Sequence, residues 1–280
     1  MNTVIQLKAH ISNLSRKTGV KPEVLYRNYM TERFLKRLSL SQYKSHIVLK
    51  GGLLIAYMVG FESRATMDLD GTIRGYPVTE ENLKAMLNDI ISIPADDNIS
   101  FKLNTMNPIM LDTDYECLRV NMTAVFEKLK ISLKLDISTG DAITPHPIEF
   151  YHKLMFGEGQ IEIFAYNLET ILAEKIETVI RRNIANSRMR DYYDIYILMK
   201  LKEQNINFEL LKSALQATSK NRDSTSVIKN TFVIFEDIKI NVQLQNLWES
   251  YCADYEYAKD IKWNNVCASI HEILLKLELI

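Results

Sequence analysis

In Thr66-Met67-Asp68-Leu69-Asp70 two carboxylates stand at positions i and i+2. On a strand that spacing puts both on one face, with their roots about 7 Å apart, close enough to share hydrated metal ions. Like charges at such a distance oppose each other's ionisation, and a divalent cation is the usual way of keeping both charged. The ordinary alternative is an exposed edge strand, or lysine neighbours that balance the pair, because D-x-D recurs by chance.

Two further segments bear on the same chemistry. Upstream, Leu49-Lys50-Gly51-Gly52 reads as a strand entering a glycine turn and then a helix. The free backbone N–H groups and dipole of such a turn attract phosphate, although a glycine pair by itself is more simply a tight turn. Downstream, in Ser132-Leu133-Lys134-Leu135-Asp136, alternation sets Ser132, Lys134 and Asp136 on one strand face, opposite Leu133 and Leu135. Carboxylates gathered on one sheet face suit two-metal chemistry, and Asp136 stands where a general base for an incoming hydroxyl would be. The plain alternative is a solvated Lys134–Asp136 neighbour pair on a half-exposed strand.

The elements that must position these residues follow from periodicity. Residues 2–38 read as two helices, the second starting at Pro22. Ile47-Val48-Leu49 is a short β-branched strand, followed by a helix over Leu53–Met58. A strand is expected over Thr66–Ile73, a helix over Glu80–Ile91, and strands over Ile99–Leu103, Glu116–Phe126 and Lys130–Ile137, the last two joined by a turn at Glu127-Lys128. Short strands are expected over Ile148–Met155 and Gln160–Phe164. From Leu168 the period becomes helical, over Leu168–Arg182, Arg190–Lys200, Phe208–Ala217 and further segments to Leu279. Strands followed by helices define an α+β chain, with a boundary near Asn167 separating residues 1–167 from a helical part, 168–280. No internal repeat or low-complexity segment interrupts it.

Composition narrows the class. With 47% hydrophobic and 25% charged residues, 280 residues suffice for one large or two modest folded units. Lys plus Arg (34) balances Asp plus Glu (35), so any nucleic-acid contact must come from a local patch. Arg181, Arg182, Arg188 and Arg190 form one such cluster, which could equally be a solvated face. Cys117, Cys252 and Cys267 are odd in number and far apart, arguing against a disulfide framework or a zinc site. A reducing cytoplasm is therefore expected. The most apolar run, Leu53 to Phe61, is about half of what a membrane span needs.

Four segments in order resemble the AbiEii/AbiGii-type nucleotidyltransferase toxins of abortive-infection and type IV toxin–antitoxin systems. They are Leu49-Lys50-Gly51-Gly52 with Arg64-Ala65-Thr66-Met67-Asp68-Leu69-Asp70; Lys134-Leu135-Asp136-Ile137-Ser138; Leu172-Ala173-Glu174-Lys175; and Arg190-Asp191-Tyr192-Tyr193-Asp194-Ile195-Tyr196. The resemblance implies a polymerase-β-like mixed sheet with N-terminal helices, followed by a helical C-terminal domain. It implies Asp68, Asp70 and Asp136 as metal ligands, and Lys50, Gly51, Gly52 and Lys134 beside the nucleotide. It also implies Thr66 where the family has a serine on triphosphate, Lys175 on phosphate, and Asp191 with Asp194 completing the site. Two departures stand out: Met67 replaces an acidic or polar residue, and Gly71-Thr72 follow the aspartates in place of apolar strand residues. The hydroxyl after Asp136 is supplied by either Ser138 or Thr139.

Lys175 sits on a helix whose apolar stripe is Leu168, Ile171, Leu172, Ile176 and Val179, so its ammonium is expected to reach outward as a point charge for phosphate, or to sit in a solvated salt bridge. Asp191 and Asp194, at i and i+3, share a helix face. The family implies transfer of a nucleotide from a nucleoside triphosphate, with Mg²⁺ or Mn²⁺, to an acceptor, foremost RNA at the tRNA 3′ end, with growth inhibition, a role in phage defence and a cognate antitoxin. A metal-dependent nuclease and a non-catalytic nucleotide-binding module are the competing readings.

Overall fold

The computed structural model describes all residues except Met1, Asn2, Val78 and 110–116. The chain divides into two compact units, one of Met1–Gly140 with Pro147–Tyr166, the other of Asp141–His146 with Asn167–Ile280.

In the first unit, α1 (Val4–Thr18) and α2 (Pro22–Leu40) lead into β1 (Ile47–Lys50), α3 (Gly51–Val59), β2 (Asp68–Ile73), α4 (Glu80–Ser92), β3 (Ile99–Ile109), β4 (Cys117–Phe126), β5 (Leu129–Thr139), β6 (Ile148–Lys153) and β7 (Gln160–Ala165). The strands form one mixed sheet in the order β3-β4-β5-β2-β1-β7-β6. β2 runs parallel to β5 and β1 parallel to β7, and the other neighbours are antiparallel.

Alternation along the central strands sorts the two faces. Leu49, Leu69, Leu133, Leu135 and Ile137 are buried, and Phe34, Leu35 and Leu38 of α2 line one apolar space with Leu49, Leu69, Leu135 and Ile163. Fully burying such side chains contributes about 1.5–3 kcal/mol each, so this layer fixes which residues of β2 and β5 face the other way. Register is then not negotiable, since a slip of one residue would bury the aspartates.

Three differences from sequence expectation stand out. β2 begins at Asp68 and not at Thr66, which leaves Thr66 outside the ladder, buried beside Gly52. β3 continues six residues beyond Leu103, to Ile109. A bulge between Leu103 and Thr105 shifts the register and breaks the period of two. Past it, polar pairs replace apolar alternation: the Asn104 amide donates to Thr123 Oγ1 at 2.8 Å and the Asn121 amide to Thr105 Oγ1 at 2.9 Å. Third, Gly51 and Gly52 form the first turn of α3 instead of preceding it. Glu116, expected to open the β4 strand, lies outside the described residues.

A Cβ on Gly71 would meet only ordinary contacts, 3.4 Å from Ile47 Cγ2 and 3.5 Å from the Val48 carbonyl oxygen. Thr72 turns its hydroxyl to the Ser138 carbonyl at 3.3 Å. Thr72 thus fits its surroundings through that bond, and nothing in the local space requires the glycine at 71.

The second unit is helical: α5 (Leu168–Arg182), α6 (Met189–Lys202), α7 (Phe208–Asn221), α8 (Thr225–Ile228), α9 (Thr231–Ile240), α10 (Val242–Asp254) and α11 (Trp263–Lys276). Asn167 caps α5, accepting from Thr170 N at 2.7 Å, and its amide donates to the Thr144 carbonyl at 2.7 Å, which ties the 141–146 segment to this unit. No helix among the described residues is long and apolar enough to cross a membrane.

Candidate active site

Register brings the candidate residues of the first unit together. On β2 and β5, Asp68 pairs with Lys134 and Asp70 with Asp136. β1 sets Lys50 opposite Asp70, and β4 sets Arg119 opposite Asp136. Cross-strand partners share a sheet face, so one row reads Lys50, Asp70, Asp136, Arg119, acidic in the middle and basic at both ends. Two residues along, a second row reads Asp68, Lys134, Asn121.

Ion pairs join strands within these rows. Lys134 Nζ lies 2.8 Å from Asp68 Oδ1. Arg119 grips Asp136 with both arms of its fork, Nε donating to Oδ1 at 2.8 Å and Nη2 to Oδ2 at 2.9 Å. Such bidentate, charge-assisted bonds are among the stronger polar contacts in proteins. The hydrogen bond to Asp136 raises the Arg119 pKa; partial burial opposes this, and the charges of Asp136, Asp68 and Asp70 add to it.

Arg119 is the site residue that sequence reasoning missed. It lies in a strand pattern with Asn121 and Thr123 on the same polar face, and that alternation was the available signal. Only pairing register, which no local pattern reveals, places it against Asp136.

Among the described residues, no three His, Cys, Asp or Glu side chains are gathered to hold a metal ion. Asp68 and Asp70 fit a hard divalent cation by chemistry and by their shared face. Asp136 stands in the same row with both oxygens on Arg119, so Asp68, Asp70 and Asp136 are not gathered into one three-carboxylate cluster.

The glycine segment packs directly against this row. Gly51 has φ +70°, and a Cβ on it would fall 2.2 Å from Asp70 Oδ2. Gly52 is crowded more gently, with Arg64 Nη2 at 3.0 Å and Thr66 Oγ1 at 3.2 Å from the equivalent position. Thr66 and Arg64 are both buried, and Arg64 Nη1 donates to the Ala65 carbonyl at 2.8 Å. Asp70, Thr66 and Arg64 therefore converge on the first turn of a nine-residue helix, whose amino end favours negative charge. Lys50 Nζ lies over the Tyr166 ring, 5.8 Å from its centre.

In the second unit, Lys175, Asp191 and Asp194 form a cluster of their own. Lys175 Nζ is 2.6 Å from Asp191 Oδ1 and 2.9 Å from Asp194 Oδ2, and Arg188 Nε donates to Asp191 Oδ2 at 2.9 Å. Both aspartates are buried. Burial alone would depress the Lys175 pKa, but the two carboxylates outweigh it and push it up to about 12. The ammonium is thus clasped between carboxylates and does not reach outward as a solvated point charge. The neighbouring arginines are engaged as well: Arg181 Nε donates to buried Glu177 at 2.8 Å, and Arg190 Nη2 to the Tyr255 hydroxyl at 2.7 Å.

The fold is similar to that of nucleotidyltransferase-like proteins. A Helicobacter pylori protein assigned to the nucleotidyltransferases has a similar structure, at TM-score 0.50 and 23% identity, covering 92% of this chain and 98% of its own. JHP933 from Helicobacter pylori follows at TM-score 0.49, 22% identity and coverage of 92% and 95%. An antigenic nucleotidyltransferase-like protein from Paracoccidioides brasiliensis gives TM-score 0.41, 18% identity and coverage of 71% and 92%. No curated protein sequence matches. The model of the nucleotidyl transferase AbiEii toxin family, of type IV toxin–antitoxin systems, matches residues 33–269. The chain belongs to that family.

Proposed function

We propose that this chain transfers a nucleotide from a nucleoside triphosphate to an acceptor hydroxyl, that the acceptor is RNA, foremost the tRNA 3′ end, and that the transfer arrests growth in the cytoplasm. The observation that carries the proposal is the four-strand row through Asp70 and Asp136, abutting the glycine turn of α3. Carboxylates for a cation and a phosphate-attracting turn stand side by side.

Asp68 and Asp70, with Asp136, would hold Mg²⁺ or Mn²⁺, which when bound supplies neutralisation of triphosphate charge. The first turn of α3, Thr66, Lys50 and Lys134 orient the phosphates. Asp136 takes the proton of the acceptor hydroxyl as its oxygen bonds to the α-phosphorus, and the bond to the β-phosphate breaks to release pyrophosphate. Lys175, Asp191 and Asp194 are assigned a part in the same reaction by the family resemblance. A cognate antitoxin follows from membership of a toxin–antitoxin family.

The test is transfer of label from each of the four α-labelled nucleoside triphosphates to bulk RNA, with Mg²⁺. Wild-type protein is expected to label RNA, and Asp68→Ala and Asp136→Ala to abolish the signal. No transfer with any nucleotide, together with RNA cleavage, would assign the chain to the hydrolytic alternative.

A further inference from the structure

Asp136 has one bond from Arg119 on each of its oxygens, so the guanidinium balances its charge and competes with a cation or a hydroxyl for its lone pairs. Where a displaced Arg119 would turn is limited by its neighbours. Its cross-strand partner on β3 is Asn107, and the next residue on its own strand face is Asn121. Asp68 and Asp70, the other carboxylates on this face of β1 to β5, are assigned to the cation as well. Arg119 is more than a third exposed and stands two strands from Asp70 in the same row, about 10 Å at the backbone by ordinary strand spacing. A guanidinium there reaches any group lying on Asp70.

We infer that Arg119 is a phosphate-binding residue of the nucleotide site, held in reserve by Asp136 and transferred to the triphosphate when a divalent cation engages the carboxylate row. The inference rests on the nucleotidyltransferase reading. Its logic is an exchange: the cation takes over the charge balance of Asp136, and the released fork meets phosphate oxygens, which it matches in bidentate fashion. The row thereby turns from balanced to cationic only when metal and nucleotide arrive together.

An exchange has a signature that a merely structural ion pair lacks. Removing Arg119 removes a competitor for Asp136, so Mn²⁺ should bind the nucleotide-free protein more tightly, by about threefold or more. The same change removes a phosphate ligand, so α,β-methylene nucleoside triphosphates with Mg²⁺ should bind about tenfold more weakly. The experiment measures Mn²⁺ affinity by electron paramagnetic resonance, and affinity for each of the four analogues by calorimetry, in wild type, Arg119→Ala and Arg119→Lys. The lysine variant keeps the charge, loses the fork and should recover part of the analogue affinity. Opposite signs for metal and nucleotide support the exchange. Changes of the same sign, or analogue affinity within twofold of wild type, overturn it while leaving the nucleotidyltransferase reading intact. Wild-type protein that binds none of the analogues overturns that reading and the role of Arg119 with it.

Discussion

The Asp70 carboxylate occupies the space that a side chain on Gly51 would need, 2.2 Å from the position of its Cβ. Gly51 also has φ +70°, a conformation that costs an L residue about 1–2 kcal/mol. Gly51→Ala should therefore lower stability by about that amount and, beyond it, displace Asp70 and eliminate labelled transfer. Gly52→Ala meets only the movable ends of Arg64 and Thr66 and should retain measurable transfer. Thermal unfolding and the transfer assay, run on both variants, check the pair; full activity in Gly51→Ala would show that Asp70 need not sit where it does.

The D-x-D carboxylates and Asp136 were legible because strand alternation alone decides their face. Their mutual placement was not, because the β2–β5 pairing joins strands far apart in sequence and local patterns do not specify register across such a gap. Arg119 remained hidden for that reason. The end of β3 was obscured by its bulge, which breaks the period that sequence reading relies on. Lys175 was legible as a site candidate through family resemblance, but its setting was misjudged. The apolar stripe of α5 located its helix face correctly, and nothing in that stripe reported that Asp191 and Asp194 of α6 enclose the ammonium.

That enclosure makes Lys175 a stability determinant as well as a candidate site residue. Removing one partner of a buried ion cluster costs about 3–5 kcal/mol, so Lys175→Met should be destabilised by that order in urea unfolding at neutral pH. The folded pKa of about 12 lies above the ordinary 10.5. The stabilisation is therefore fully present below about pH 10.5 and is lost as pH rises through 12. The difference in unfolding free energy between wild type and variant should shrink over that window by about 2 kcal/mol. A difference independent of pH from 9 to 12 would contradict the ion-cluster account.

The thiols should be sluggish and ranked. Cys117 and Cys267 are buried, and burial pushes the Cys267 pKa up to about 12. Cys252 is half-buried; burial, and then Glu249, raise its pKa, and its Sγ donates to the Ile261 carbonyl at 3.6 Å. Since the thiolate is the reacting form, a maleimide at pH 8 should label the native protein slowly and at Cys252 first, with Cys117 and Cys267 reacting on unfolding. Peptide mapping after timed labelling reads the order, and rapid modification of Cys267 in the folded protein would contradict it.

Growth inhibition separates the proposed catalytic role of the row from its architectural one. Asp68 is paired with Lys134 across β2 and β5 at a half-exposed position, where an exposed pair contributes at most about 1 kcal/mol. Asp68→Ala should therefore fold and accumulate like wild type. Induced expression of the wild-type chain without its antitoxin should slow growth, whereas Asp68→Ala, matched for soluble protein, should not. Equal inhibition by both proteins would place the toxic effect outside nucleotide transfer. Restored growth with Asp68→Ala alone would connect the carboxylate row to the arrest, since little else in the fold depends on that side chain.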